Sequence, residues 1–287
     1  MKSNNPVFNR SPEFNGQATN AYGNQTYPGN GTTYPGYGQQ PYSDPSTWGT
    51  GTPGMPTQVD QGRMTVDSVV QKTAISVALV FIAAFATWAY IGDVTTNSDL
   101  GQVYLLAILG SGGAFLLSLA NSFKRVISPA LVMLFALAEG VALGAVSKMF
   151  EAQYPGIVTS AVLGTFAAFI GTLAVYKFLD IKVGDKFRRG VIAAMFGMVG
   201  LGLLSLVLSF FGINTGIYGN GALGFVFALA GLVLGVFMLI LDFDFVENGV
   251  AAGLPERESW RAAFGLTVSL VWIYTNLLRI LAIMRGD

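Results

Sequence analysis

Two residue types are missing outright: the chain contains no cysteine and no histidine. The first absence excludes disulfides and thiol catalysis, and the second removes His-based metal ligands, the Ser-His dyad and the usual proton switch near neutral pH. Any pH response is left to carboxylates. Charge is scarce too, at 11% of 287 residues, where soluble domains carry about a quarter. With 52% of residues hydrophobic, the composition is that of a membrane protein. Sixteen basic and sixteen acidic residues cancel, so overall charge points to no nucleic-acid partner.

What is present falls into two parts. Residues 1–64 are rich in Gly, Pro, Tyr, Asn, Gln, Ser and Thr, as in YPGNGTTYPGYGQQPYSD, and lack a periodic apolar pattern. Such a segment cannot bury a core and is expected to be a disordered tail. Its tyrosines Tyr22, Tyr27, Tyr34, Tyr37 and Tyr42 offer contacts for self-association or for a membrane protein partner. No signal peptide is expected, because the start is polar and the first apolar run begins near Val69. The sequons at Asn24 and Asn30 matter only if the tail lies in a glycosylating compartment.

Residues 65–287 carry seven apolar segments long enough to span a bilayer, roughly Thr73–Gly92, Gln102–Phe123, Pro129–Phe150, Gly156–Tyr176, Gly190–Phe211, Ala222–Asp242 and Ala262–Met284. Short connections make consecutive spans neighbours in one bundle. With the N-terminus placed in the cytoplasm, Arg63, Lys72, Lys124, Arg125, Lys177, Lys182, Lys186, Arg188, Arg189, Arg257 and Arg261 lie inside, against Lys148 and Arg285 outside. Eleven against two fixes the expected orientation, with the C-terminus outside. Glycines in LGSGGAF and MFGMVGLGLL are expected to let helices approach closely. LAEGVALG at Leu137 and LAGLVLG at Leu229 look alike in spans of opposite direction, as an inverted repeat would require.

The sixth span runs unbroken through ALGFVFALAGLVLGVFMLIL into Asp242-Phe243-Asp244. On a helix these two aspartates point roughly 200° apart. Asp244 shares a side with Glu247 and Asn248, whereas Asp242 shares one with Met238, Leu239, Phe245 and Val246. Two readings stand for Asp242: a functional carboxylate turned into packing, or a marker of the water boundary. Glu139 lies eleven residues past Ser128, about 16 Å into the membrane, where a charge must be paired, neutralised or bathed by water. In the last span Ser269, Asn276 and Arg279 form a polar stripe. A stripe in an apolar helix needs protein or water on that side, so the last helix is expected to be central.

The motifs EGVALG at Glu139, YPGIVTSAVLGTF at Tyr154, LILDFDFVENG at Leu239 and ESWRAAFGLTVSLVWIYTNLLRILAIMRG at Glu258 resemble the bacterial branch of the Bax inhibitor, or transmembrane Bax inhibitor motif, family. SNNPVFNR and MTVDSVVQKT are similar to the same branch. The resemblance implies an all-α membrane fold of seven helices, six around a central C-terminal one, in a bacterial inner membrane. It also implies a calcium-permeable leak path, switched by protonation of an acid pair on spans six and seven. The first acid falls on Asp242. The second falls at Asn276, which is not acidic, so pH gating is expected to be weakened.

On this reading Asn276 hydrogen-bonds Asp242, Glu139 supplies a second negative charge, and Arg279 closes or tunes the path by pairing with an acid. Asp242 and Glu139 are the candidate metal ligands, with Asp244 offering similar chemistry beside them. Oxygen ligands so few should hold calcium weakly, as a pathway requires. The alternative is a regulatory protein that binds a membrane protease or stress partner through its tail without transport. No enzyme is expected: the last span lacks a Schiff-base lysine, histidine is absent, and Asp242 has no aspartate partner on span five or seven.

Overall fold

The computed structural model describes residues 62–94 and 97–286. The tail tyrosines and the sequons lie outside the described residues. Seven helices follow in order: α1 Val66–Ile91, α2 Asn97–Phe123, α3 Pro129–Gln153, α4 Ile157–Phe178, α5 Asp185–Phe210, α6 Ala222–Ala251 and α7 Glu258–Gly286. Each is long and apolar enough to cross a membrane. Among the described residues the extended structure amounts to an isolated bridge between Arg63 and Pro255.

The helices outrun the apolar segments that signal them. α1 starts seven residues before Thr73 because Thr65 caps it, with its hydroxyl accepting from the Ser68 N–H and Ser68 reciprocating. α6 continues nine residues past Asp242 to Ala251. Hydropathy marks where lipid ends, while backbone hydrogen bonding continues until a cap or turn stops it. Residues 62–64, on the tail side of the expected boundary, dock on the helical domain. The Met64 N–H donates to the Leu254 carbonyl, the Glu256 N–H donates to that of Gly62, and Met64 is buried.

α7 is the hub, packing on α1, α3, α4 and α6, while α2 joins the bundle through α3 and α5 joins it through α6. Small residues permit the closest approaches. A Cβ on Gly140 would meet the Val80 carbonyl oxygen of α1 at 2.5 Å, and one on Gly110 of α2 would meet the Ala142 amide of α3 at 2.6 Å. Gly197 and Gly200 of α5 have open space where a side chain would stand, whereas a Cβ on Gly202 would meet the Tyr218 hydroxyl at 2.5 Å, so of the three glycines in that motif Gly202 alone makes a close approach. Among the helices α5 packs on α6 alone, and Gly202 instead makes room for the loop that follows it.

The basic connections gather at one end. Arg257 donates to the Ile127 carbonyl and Arg261 to that of Arg125, while Lys72 pairs with Glu256 at 2.8 Å. At the other end Arg285 donates to the Pro155 carbonyl, and Lys148 lies 3.7 Å from Asp93 and over the Trp88 ring.

Candidate functional site

The seam between α6 and α7 organises the candidate site. These helices run antiparallel, and three contacts fix their register. A Cβ on Gly265 would come within 2.7 Å of Asp242 Oδ1, one on Gly235 would meet Ile273 at 2.7 Å, and one on Gly231 would collide with the Asn276 amide. Gly224 lies beside Arg279 in the same way. The polar stripe of α7 therefore faces α6 at Ser269 and Asn276, while Arg279 at its outer end turns to the loop before α6. Trp272 adds to the seam by donating its indole N–H to the Gly231 carbonyl at 2.8 Å.

Asp242 accepts from the Ser269 hydroxyl at 2.5 Å and is half-buried. It stands nine residues, about 14 Å, from the α6 end. No cation pairs with it among the described residues. Asp244 is more deeply placed, with 7% of its surface exposed, and it accepts from Arg188 of α5 at 2.7 Å. The polar surroundings expected for it are thus replaced by an ion pair between helices. Glu247, one turn on, accepts from the Tyr176 hydroxyl of α4 at 2.6 Å. Both aspartates are interior, one turned to α7 and the other to α5.

The expected hydrogen bond between Asn276 and Asp242 is not made. Asn276 donates to the Trp272 carbonyl within its own helix and lies opposite Gly231, eleven residues from Asp242 and about 16 Å along the axis. Antiparallel register is the reason: Ser269, not Asn276, reaches the level of Asp242. Nor does Arg279 pair with an acid among the described residues. It donates to the Ile217 carbonyl in the loop before α6, with its guanidinium over the rings of Tyr218 at 5.0 Å and Phe227 at 5.9 Å.

Glu139 is half-buried on α3 and has no hydrogen-bond or ion-pair partner among the described residues. It follows by one turn Phe135, whose ring meets Phe264 of α7 edge-on at 5.0 Å. Farther along, Ser147 of α3 bonds the Tyr274 hydroxyl of α7 at 2.6 Å, so the two helices run parallel. Glu139 is therefore level with Thr267 and Val268, the same height as Asp242 on another side of α7. The two carboxylates do not meet, because α3 and α6 do not pack on one another. Nor do the described residues bring three acidic side chains together. The expected Asp242–Glu139 ligand pair is replaced by two separate acids beside one helix.

The sequence reading missed two partnerships, Arg188 with Asp244 and Tyr176 with Glu247, which join positions 56 and 71 residues apart. Spacing along the chain carries no signal at that range. Ser269 lay within the recognised stripe, and the glycines at 224, 231 and 235 would have marked the α6 face that it meets. The model of one protein family, described as Bax inhibitor 1 like, matches residues 5–286. No curated protein matches the chain.

Proposed function

The chain belongs to the Bax inhibitor 1 like family, and from that premise we propose that it is a cation leak of a bacterial inner membrane, with calcium as its cargo. Asp242 is the acid that draws cations into the bundle. The observation that carries this reading is a carboxylate held against the central helix by a neutral hydroxyl, with no cation beside it among the described residues. An acid without a counter-charge inside a membrane bundle attracts a mobile cation, and hard oxygen ligands suit calcium. Glu139 adds negative potential at the same depth. The excess of lysine and arginine at one end supports a cytoplasmic N-terminus and an external C-terminus.

Because Ser269 faces Asp242 where a second carboxylate would create proton sharing, the paired-acid switch is missing and pH gating is weakened. No bond-making step is involved, and the protein acts without enzymatic turnover.

The test is calcium entry into dye-loaded proteoliposomes. A unit charge about 4 Å from a passing cation is worth about 4 kcal/mol at an effective dielectric of about 20. Losing a third of that slows passage about tenfold, so Asp242→Asn should reduce flux by about that factor. Flux unchanged in the Asp242→Asn, Glu139→Gln double variant would sink the assignment. Absence of flux in the unaltered protein would favour the regulatory alternative, which tail deletion then tests through loss of partner capture.

A further inference from the structure

α5 packs on α6 and on no other helix, so it stands apart from α2 and leaves the outer half of α7 uncovered between them. The gap is a cavity of about 890 Å³, near the top of the roughly 300–1,000 Å³ range of small-molecule sites. Phe115 of α2, Met198 and Leu206 of α5, and Trp272 of α7 form its apolar walls. Arg279 is the single charged residue among those lining it.

The cavity is polar at one end. Arg279 lies seven residues before the α7 end at Gly286, about 10 Å along the axis, beside the loop 211–221 whose Ile217 carbonyl it contacts. Met198 lies twelve residues back from Phe210, about 18 Å deeper. One cation thus stands at headgroup depth and the apolar walls at acyl depth. Of five guanidinium N–H donors, one is committed to Ile217, and the aromatic rings of Tyr218 and Phe227 hold the group in place. No carboxylate pairs with it among the described residues. A cleft lined by one cation and no acid repels metal ions and accepts an anionic amphiphile.

We propose that the cleft between α2 and α5 is a lateral site for an anionic phospholipid, with its phosphate on Arg279 and one acyl chain along Met198, Phe115 and Trp272. The site is separate from Asp242 and stands whether or not the protein conducts ions.

Trp272 reports occupancy directly. The other tryptophans, Trp48, Trp88 and Trp260, are replaced by phenylalanine, and the full chain is reconstituted into phosphatidylcholine vesicles. Acyl-brominated phosphatidylglycerol or acyl-brominated phosphatidylcholine is then titrated in as a quencher. One basic residue at the membrane surface should favour the anionic lipid about fivefold. That preference should vanish in Arg279→Gln and survive in Arg279→Lys. Equal quenching by the two lipids with Arg279 intact overturns the headgroup site without recourse to any variant. Absence of quenching by either, as when a helix of a second copy fills the cleft, overturns it as well. Inorganic phosphate should leave quenching unchanged, and displacement by it would assign the site to a free anion instead.

Discussion

Asp242 and Asp244 are chemically alike and two positions apart, yet their partners give them different work. Asp244 meets Arg188, whose side chain is 49% exposed while that of Asp244 is 10% exposed. Removing the arginine strands a buried carboxylate, whereas Asp244→Asn leaves an arginine that can turn to water. Arg188→Ala should therefore destabilise by about 1–3 kcal/mol, less than a fully buried pair because of solvent on the arginine side. Asp244→Asn should cost less, and thermal unfolding in detergent would rank the two. Equal losses would remove the asymmetry. Asp242 faces only a hydroxyl, and this makes Ser269 the informative position. Ser269→Asp would create two carboxylates competing for one proton, and flux should become steeply pH-dependent. Asn276→Asp, about 16 Å away by register, should not have this effect. A pH response in Asn276→Asp alone would mean that the α6–α7 register differs from the one described.

At the scale of the helices, small residues separate two kinds of contact. Gly140 and Gly144 of α3 press on the backbone of α1, at the Val80 and Ala84 carbonyls, which cannot move aside. Gly231 of α6 presses on the Asn276 side chain, which can. Gly140→Ala and Gly144→Ala should each destabilise by about 1–3 kcal/mol as overpacking does, with Gly231→Ala milder. Gly197→Ala and Gly200→Ala meet open space, so alanine's helix preference should leave stability unchanged or raise it by up to about 1 kcal/mol. Unfolding midpoints across this series test the contrast. A uniform response would mean that packing does not distinguish the positions. The likeness of LAEGVALG to LAGLVLG has a structural counterpart: each supplies a pair of glycines four apart against a neighbouring helix, in helices that run in opposite directions.

For the whole molecule, the ends of the bundle carry the orientation. The chain has no cysteine, so single-cysteine labelling needs no background removal. With an impermeant maleimide on intact cells, Gly219→Cys should label from outside, and Lys182→Cys should label only after lysis. The reverse pattern would invert the orientation. The bundle is also lopsided. α3, α6 and α7 are held by several neighbours, while α5 rests on one, and this difference opens the lateral cleft at Arg279.

Hydrophobic runs determined the number of helices and their approximate bounds, because backbone groups in lipid must satisfy one another within a helix. The stripe of Ser269, Asn276 and Arg279 likewise announced which helix is central and which of its faces turns to α6 and the cleft beside it. Charge counts at the span ends specified an expected orientation from local composition alone. Sequence could not say which stripe residue meets Asp242. That depends on the axial register of two antiparallel helices, and a shift of seven residues separates Ser269 from Asn276. Nor could it say that Asp244 is paired by Arg188, or that Arg279 turns to a loop carbonyl and two rings. Those partners come from distant parts of the chain, and only packing decides which of them arrive at the same depth and on the same side.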